Sequence, residues 1–230
     1  MKDGRKFMRS QFDNMLEQLH TELVHMGALC EEAISGAAKL LFDEKEEREP
    51  IHAVEEEIDS LERKIEGLCM KLLLRQQPVA KDLREISSAL KMISDMERIG
   101  DQAVDIADVA KYINKKQEEN NKLQIMAEAT IVMVTQAIES FVKKDLELAH
   151  KVMRHDDFVD ELFAEIKTDI IRKIGEQRED GEYLADVLMV AKYFERIGDH
   201  AVNIAEWVEY SITGVHMSDK NYKDSLCSTV

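Results

Sequence analysis

Only two prolines and nine glycines interrupt the 230 residues, so the chain has few helix breakers. Together with twelve methionines and 34% charged residues, that scarcity predicts an all-α protein. Cysteine is scarce too. Cys30, Cys69 and Cys227 are odd in number and never in C-x-x-C spacing, which leaves neither a disulfide framework nor a thiolate zinc site. Cys30 and Cys69 fall within apolar-periodic patterns and read as small core residues. Basic residues are outnumbered 31 to 47, giving a net charge of −16. That deficit argues against nucleic acid or anionic membrane as direct ligands, both of which need a basic footprint, and it permits cation binding without demonstrating it. The first residues, MKDGRKFMRS, lack a signal-peptide apolar run, and no segment is read as the ~20 apolar residues of a membrane span. A soluble, cytoplasmic protein without membrane insertion is expected. No glycine-rich phosphate loop, Ser-His-Asp arrangement or Cys-His pair is evident. The length allows one large or two small domains.

What is present is a repeat. Glu97 to Ala107 reads E-R-I-G-D-Q-A-V-D-I-A, and Glu195 to Ala205 reads E-R-I-G-D-H-A-V-N-I-A, identical at nine of eleven positions and 98 residues apart. The chemistry of this segment should therefore be present twice.

Apolar periodicity predicts six helices, over about Met8–Phe42, Pro50–Arg75, Lys81–Ile113, Leu123–Val142, Leu146–Ile174 and Tyr183–Ile212. The breaks are the charged run Asp43–Glu49 before Pro50, Gln76-Gln77-Pro78, the polar stretch Asn114–Lys122, and Glu179-Asp180-Gly181. Two sequence-related antiparallel three-helix bundles follow, spanning 1–116 and 117–213, with a polar tail over 214–230.

On the third helix, Glu97, Asp101, Asp105 and Asp108 fall within about 80° of one another, away from Ile99, Ala103, Ile106 and Ala110. Helix two carries Glu55, Asp59, Glu62 and Glu66 beside core positions Ile58, Leu61, Ile65 and Leu68. Helix five has Asp156 and Asp160, and helix six has Glu195, Asp199, Asn203 and Glu206. An antiparallel hairpin would set the acid-x-x-x-acid pairs of each half face to face. Like charges at i,i+4 cost a few tenths of a kcal/mol per pair, and a hard or borderline cation held by carboxylates from two helices would offset that cost. Solvated outer faces are the plain alternative for any one stripe. Four stripes in matching places favour metal.

Gly100 and Gly198 stand mid-helix, for close approach of a metal or its ligands, or for tight helix packing. Arg98 and Arg196 orient carboxylates or form surface ion pairs. His155 and His200 adjoin stripe acids but face Val54 and Gln102 in the other half, and are read as peripheral. Glu17-x-x-His20 and Glu147-x-x-His150 match an element of di-iron bundles but fall on non-equivalent helices, so coincidence is the reading.

With its doubled E-R-I-G-D, V-E-E-E-I-D-S-L over Val54–Leu61 and Q-P-V-A-K-D-L-R over Gln77–Arg84, the chain resembles the PhoU family of phosphate-uptake regulators from about Met8 to Ile212. The resemblance implies paired three-helix bundles with multinuclear metal clusters, of iron or zinc, with manganese or magnesium also open. Carried over by position, the ligands are Glu55, Asp59, Glu97, Asp101 and Asp105 in the first half, and Asp156, Asp160, Glu195 and Asp199 in the second. Asn203 stands where the first half has Asp105, so a weaker or less filled second site is expected. Glu55 answers to Asp156 with a longer side chain. The resemblance further implies a cytoplasmic, non-enzymatic negative regulator, often a homodimer. It would couple the ATPase subunit of the phosphate ABC transporter to the sensor histidine kinase of the phosphate regulon. A metal-dependent hydrolase or oxidase built on the carboxylates, and a metal-free acidic helical adaptor, are the alternatives.

Overall fold

The computed structural model describes residues 2–42, 49–75, 78–113, 120–176 and 180–215. Among these residues there are six helices and no strand: α1 (Lys2–Phe42), α2 (Glu49–Arg75), α3 (Ala80–Ala110), α4 (Asn120–Lys143), α5 (Leu146–Glu176) and α6 (Gly181–Thr213). The predicted helices are all present, within a few residues at most ends. The third stops at Ala110 and continues as a turn to Ile113. The fourth starts earlier than its apolar period, at Asn120. Lys122 gains partners there that periodicity cannot show, Asp169 at 2.8 Å and Glu165 at 3.0 Å on α5. Most of the expected tail, from residue 216 on, lies outside the described residues, as do Cys227 and 114–119 of the polar stretch.

The helix ends follow local chemistry. At the start of α3, Asp82 accepts a hydrogen bond from the Val79 N–H at 3.3 Å. At the start of α6, Asp180 caps the Glu182 N–H at 3.1 Å, and Gly214 ends that helix at φ 77° with its N–H on the Tyr210 carbonyl. An added Cβ at Gly214 would be strained by that φ and would meet Arg84 at 3.4 Å. The Q-P-V-A-K-D-L-R segment thus caps one helix with Asp82 and covers the end of another with Arg84.

Within each half the three helices pack on one another, and the halves join through α3 on α6 and α1 on α4. Helices α1, α3, α6 and α4 therefore close a ring around one continuous apolar core, with α2 and α5 outside it. The core face of α3 runs through Met92, Met96, Ile99, Ala103 and Ile106, and that of α6 through Val190, Phe194, Ile197, Ala201 and Ile204, all without solvent contact. Fully burying each large side chain contributes about 1.5–3 kcal/mol. Helix α4 is more apolar than the sequence reading allows. Over Asn121–Lys143 it is long and apolar enough by composition to cross a membrane, and it is instead a core helix packed on α1, α5 and α6. Buried Cys30 and Cys69 are small core residues, with burial raising both thiols, Cys69 to about 12.

A buried carboxylate on α3 ties the halves together. Glu85 on α3, 5% exposed, accepts a hydrogen bond from His20 Nε2 on α1 at 2.6 Å and another from Lys144 Nζ, beyond α4, at 2.9 Å. Burial opposes ionisation of Glu85, but the hydrogen bonds and charges of His20 and Lys144 together outweigh it and hold the carboxyl at about 2. Its stabilising contribution is complete above the ordinary value of 4.5 and is lost as pH falls toward about 2. Glu85→Ala strands both donors and is expected to lower stability by about 2 kcal/mol at neutral pH, read as a lower urea midpoint.

Candidate metal centre

Helix α3 packs along α2, and the acidic stripes meet across that seam. Glu55, Asp59, Glu62 and Glu97 are half-buried there, and Asp101 stays exposed. Their proximity shows in their electrostatics. Burial raises the Glu97 carboxyl above its ordinary value, and Asp101, Glu62 and Asp59 push it further. Asp101 is raised by burial and then by Asp59, and Glu55 by burial and then by Asp59 and Asp101. Five carboxylates from two helices thus form one mutually repelling ridge. Glu66, one turn further along α2, is exposed.

The second half repeats the arrangement with α5 and α6. Asp156 is pushed up to about 6, first by burial and then by Asp160, Asp199, Asp157 and Glu195. Asp199 is raised by burial and by Glu195 and Asp160, against the opposing charges of Lys192 and His200. The two motif glycines are explained by this packing. A Cβ at Gly100 would meet Ile58 of α2 at 3.1 Å, and one at Gly198 would meet the Asp156 carboxylate at 3.3 Å. The first admits a neighbouring helix, and the second a ridge carboxylate.

Asp105 and Asn203 occupy different ground from the rest of the ridge. Helices α3 and α6 run antiparallel, and these two positions lie on the seam between the halves. Asp95 on α3, 6% exposed, accepts hydrogen bonds from His200 Nδ1 at 2.9 Å and Asn203 Nδ2 at 3.1 Å on α6. At the equivalent crossing, Asp105 is raised by burial and by Asp101, with the Arg196 charge of α6 opposing, and it in turn raises Tyr193. Asn203 therefore serves the contact between halves, which accounts for its amide without reference to an ion. His200, adjacent to a ridge acid in sequence, is likewise taken up by Asp95. His20 is held by Glu85, and His150 faces Glu209 at 3.5 Å, which removes both Glu-x-x-His matches from the ridges. Arg98 lies 4.0 Å from Asp95 and moderates Glu97 and Asp101.

Sequence reasoning missed Asp95, Lys192 and Glu85. The first two were marked only by breaks in the repeat, where Asp95 answers to Tyr193 and Lys192 to Ser94. Glu85 carried no signal, because its partners are 65 and 59 residues away.

Among the described residues, no three histidine, cysteine or carboxylate side chains converge closely enough to hold an ion as they are arranged. The donor chemistry nonetheless fits a hard or borderline cation. The ridges present carboxylate oxygens from two facing helices, destabilised by one another and only partly offset in the first half by Arg63 and Arg98.

Comparison with known proteins places the fold. The PhoU domain model matches residues 23–110 and 123–208, one match per half. A phosphate-specific transport system accessory protein PhoU homolog of Clostridium acetobutylicum is 35% identical over 210 residues, spanning 90% of this chain and 96% of that one. One of the same description from Pseudomonas putida is 33% identical over 93% of this chain and 85% of its own. The crystal structure of PhoU from Pseudomonas aeruginosa superposes with a TM-score of 0.84 at 30% identity, covering 89% of this chain and all of that one.

The ridge electrostatics have a measurable sign. Asp156 ionises near 6 in the folded protein against an ordinary 3.8, so the folded form retains the proton between these values. Its contribution to stability is complete at low pH and is lost as pH rises through about 6. In chelator, Asp156→Asn is expected to stabilise the protein at neutral pH by about 1 kcal/mol, a figure discounted for partial solvent screening. The same substitution should leave the melting temperature less dependent on pH between about 4 and 6.

Proposed function

Because the chain belongs to the PhoU domain family, we propose that it serves phosphate transport as an accessory, regulatory protein and not as an enzyme. The finer reading is a metal-binding cytoplasmic homodimer that negatively regulates phosphate-starvation signalling. It would do so by contacting the ATPase subunit of a phosphate ABC transporter and a sensor histidine kinase. The observation that carries the metal part is the pair of carboxylate ridges, built on facing helices and repeated across the duplication. Glu55, Asp59, Glu97 and Asp101 would hold ions in the first half, and Asp156, Asp160, Glu195 and Asp199 in the second, with Asp105 at the edge toward α6. Iron or zinc is the first choice, with manganese or magnesium next. A bound cation would neutralise the ridge and give an otherwise repelled phosphate anion a positive place to rest. Phosphate sensing would accordingly pass through the metal or through a partner.

Partner contact has support on the helices that carry no ridge. Two shallow, largely apolar grooves of about 290 and 350 Å³ lie along α1 and α4, one involving Val24, Ile138 and Val142, the other Phe42, Ala127 and Ile131. A metal-free acidic adaptor is the second reading, favoured by the lack of three convergent donors among the described residues. Its ridges would meet a basic partner surface directly.

Elemental analysis of the purified protein separates the two. Stoichiometric transition metal in the parent, lost in Asp101→Ala/Asp199→Ala, is the expected result. A parent that holds no metal and takes none up leaves the adaptor reading. Tight phosphate binding by metal-free protein in calorimetry would overturn the requirement for a metal or partner.

A further inference from the structure

The duplication allows each ridge to be compared with its own copy, and among their differences is a contacting pair that changes in concert. In the first half Ser94 of α3 donates a hydrogen bond to Glu62 of α2 at 3.4 Å. The equivalent positions in the second half are Lys192 of α6 and Phe163 of α5. Lys192 Nζ is bonded to the Glu195 carboxylate and lies 5.3 Å from the centroid of the Phe163 ring. An ammonium ion against an aromatic face is attracted by the ring quadrupole, so the ring holds the charge beside the seam. The exchange removes one carboxylate and adds one ammonium at the same place. The first ridge is left with Glu55, Asp59, Glu62, Glu97 and Asp101. Arg98 opposes Glu97 and Asp101 in the first half, whereas the second has Asp156, Asp160, Glu195, Asp199 and Lys192, whose charge lies against Phe163 of the facing helix. Arg63 does not restore the balance. It pairs with Asp59 at 3.3 Å along α2 alone, whereas Lys192, 46% exposed and also paired within its own helix, is held across the seam by the Phe163 ring of α5.

We propose that Lys192, seated on Phe163, is a built-in counter-ion that makes the two ridges unequal, so that the first ridge takes up a divalent cation before the second. The inference rests on the metal reading above for its order of filling, though the counter-ion role itself does not. Asn203 is not the source of the inequality, because it faces Asp95 on the seam. Lys192 acts as a positioning and specificity residue. It fixes one oxygen of Glu195 and places a positive charge where a second positive charge is then less welcome.

The test uses the full chain and Mn²⁺ as the probe. Calorimetric titration of the metal-free parent is expected to resolve two unequal steps. The tighter step should vanish in Asp101→Ala and the weaker in Asp199→Ala. Lys192→Ser/Phe163→Glu rebuilds the first ridge in the second half, and should tighten the weaker step about a hundredfold, as expected for removing one opposing charge and adding one carboxylate near the ion at about tenfold each. Ser94→Lys/Glu62→Phe should weaken the tighter step by a similar factor. Two equal steps in the parent, a tighter step lost in Asp199→Ala, or exchanges that move neither step would overturn the proposal while leaving metal binding intact. Melting in chelator gives the readout that needs no metal. Lys192→Ser should lower the melting temperature and Ser94→Lys should raise it. If the parent takes up no Mn²⁺ and these melting shifts occur, the metal reading fails and the counter-ion role stands. If neither single exchange moves the melting temperature, the counter-ion role fails as well.

Discussion

The constraint on which the structure depends is the close antiparallel packing of α3 on α6. The motif helices must bury one face against each other and against α1 and α4, yet carry carboxylates on the opposite face. E-R-I-G-D-x-A-x-x-I-A meets both demands within three turns. Ile99, Ala103, Ile106 and their copies Ile197, Ala201 and Ile204 are fully buried, while the glycines admit Ile58 of α2 and Asp156 of α5. The acids between them are displaced by about half a turn, on the side where α2 and α5 pack. Core and candidate site are two faces of one segment, so neither can be changed freely without the other.

Magnitudes explain why such ridges are tolerated. Repulsion between neighbouring carboxylates on a helix costs a few tenths of a kcal/mol per pair, and half-burial adds to it. Each buried Ile or Leu of the same helices contributes about 1.5–3 kcal/mol. The fold therefore forms with the ridges uncompensated. The cost is deferred to whatever positive charge arrives, an ion, a partner surface or an internal lysine.

Periodicity and punctuation made the fold legible. Spacings of three and four located six helices, and proline, charged runs and Asp180-Gly181 located the breaks. The duplication made the ridges legible as well, because a stripe that recurs at equivalent positions is hard to assign to chance. Long-range polar pairing was not legible. Asp95 meets His200 and Asn203 across 105 and 108 residues, and nothing local distinguishes that aspartate from the ridge acids beside it. For the same reason Asn203 looked like a depleted ligand and is a seam residue, and Asp105 turns partly toward Arg196. Helical phase gives the direction of a side chain, but which helix lies in that direction is a property of the assembled ring.

The comparison of the halves carries more information than either half alone. Positions where the copies agree, such as Gly100 with Gly198, mark what the packing of a ridge requires. Positions where they differ in concert mark what distinguishes one ridge from the other. Ser94 and Glu62 touch, and so do Lys192 and Phe163. A change at one member alone would leave either an ammonium without its ring or a serine facing an aromatic edge. That the two positions differ together, at a contact between helices, ties the difference to the local charge balance and not to independent drift on an exposed face. On the proposed metal reading, two ridges of like architecture and unlike charge would give one chain two thresholds for the same kind of ligand, which is a property a regulator can use.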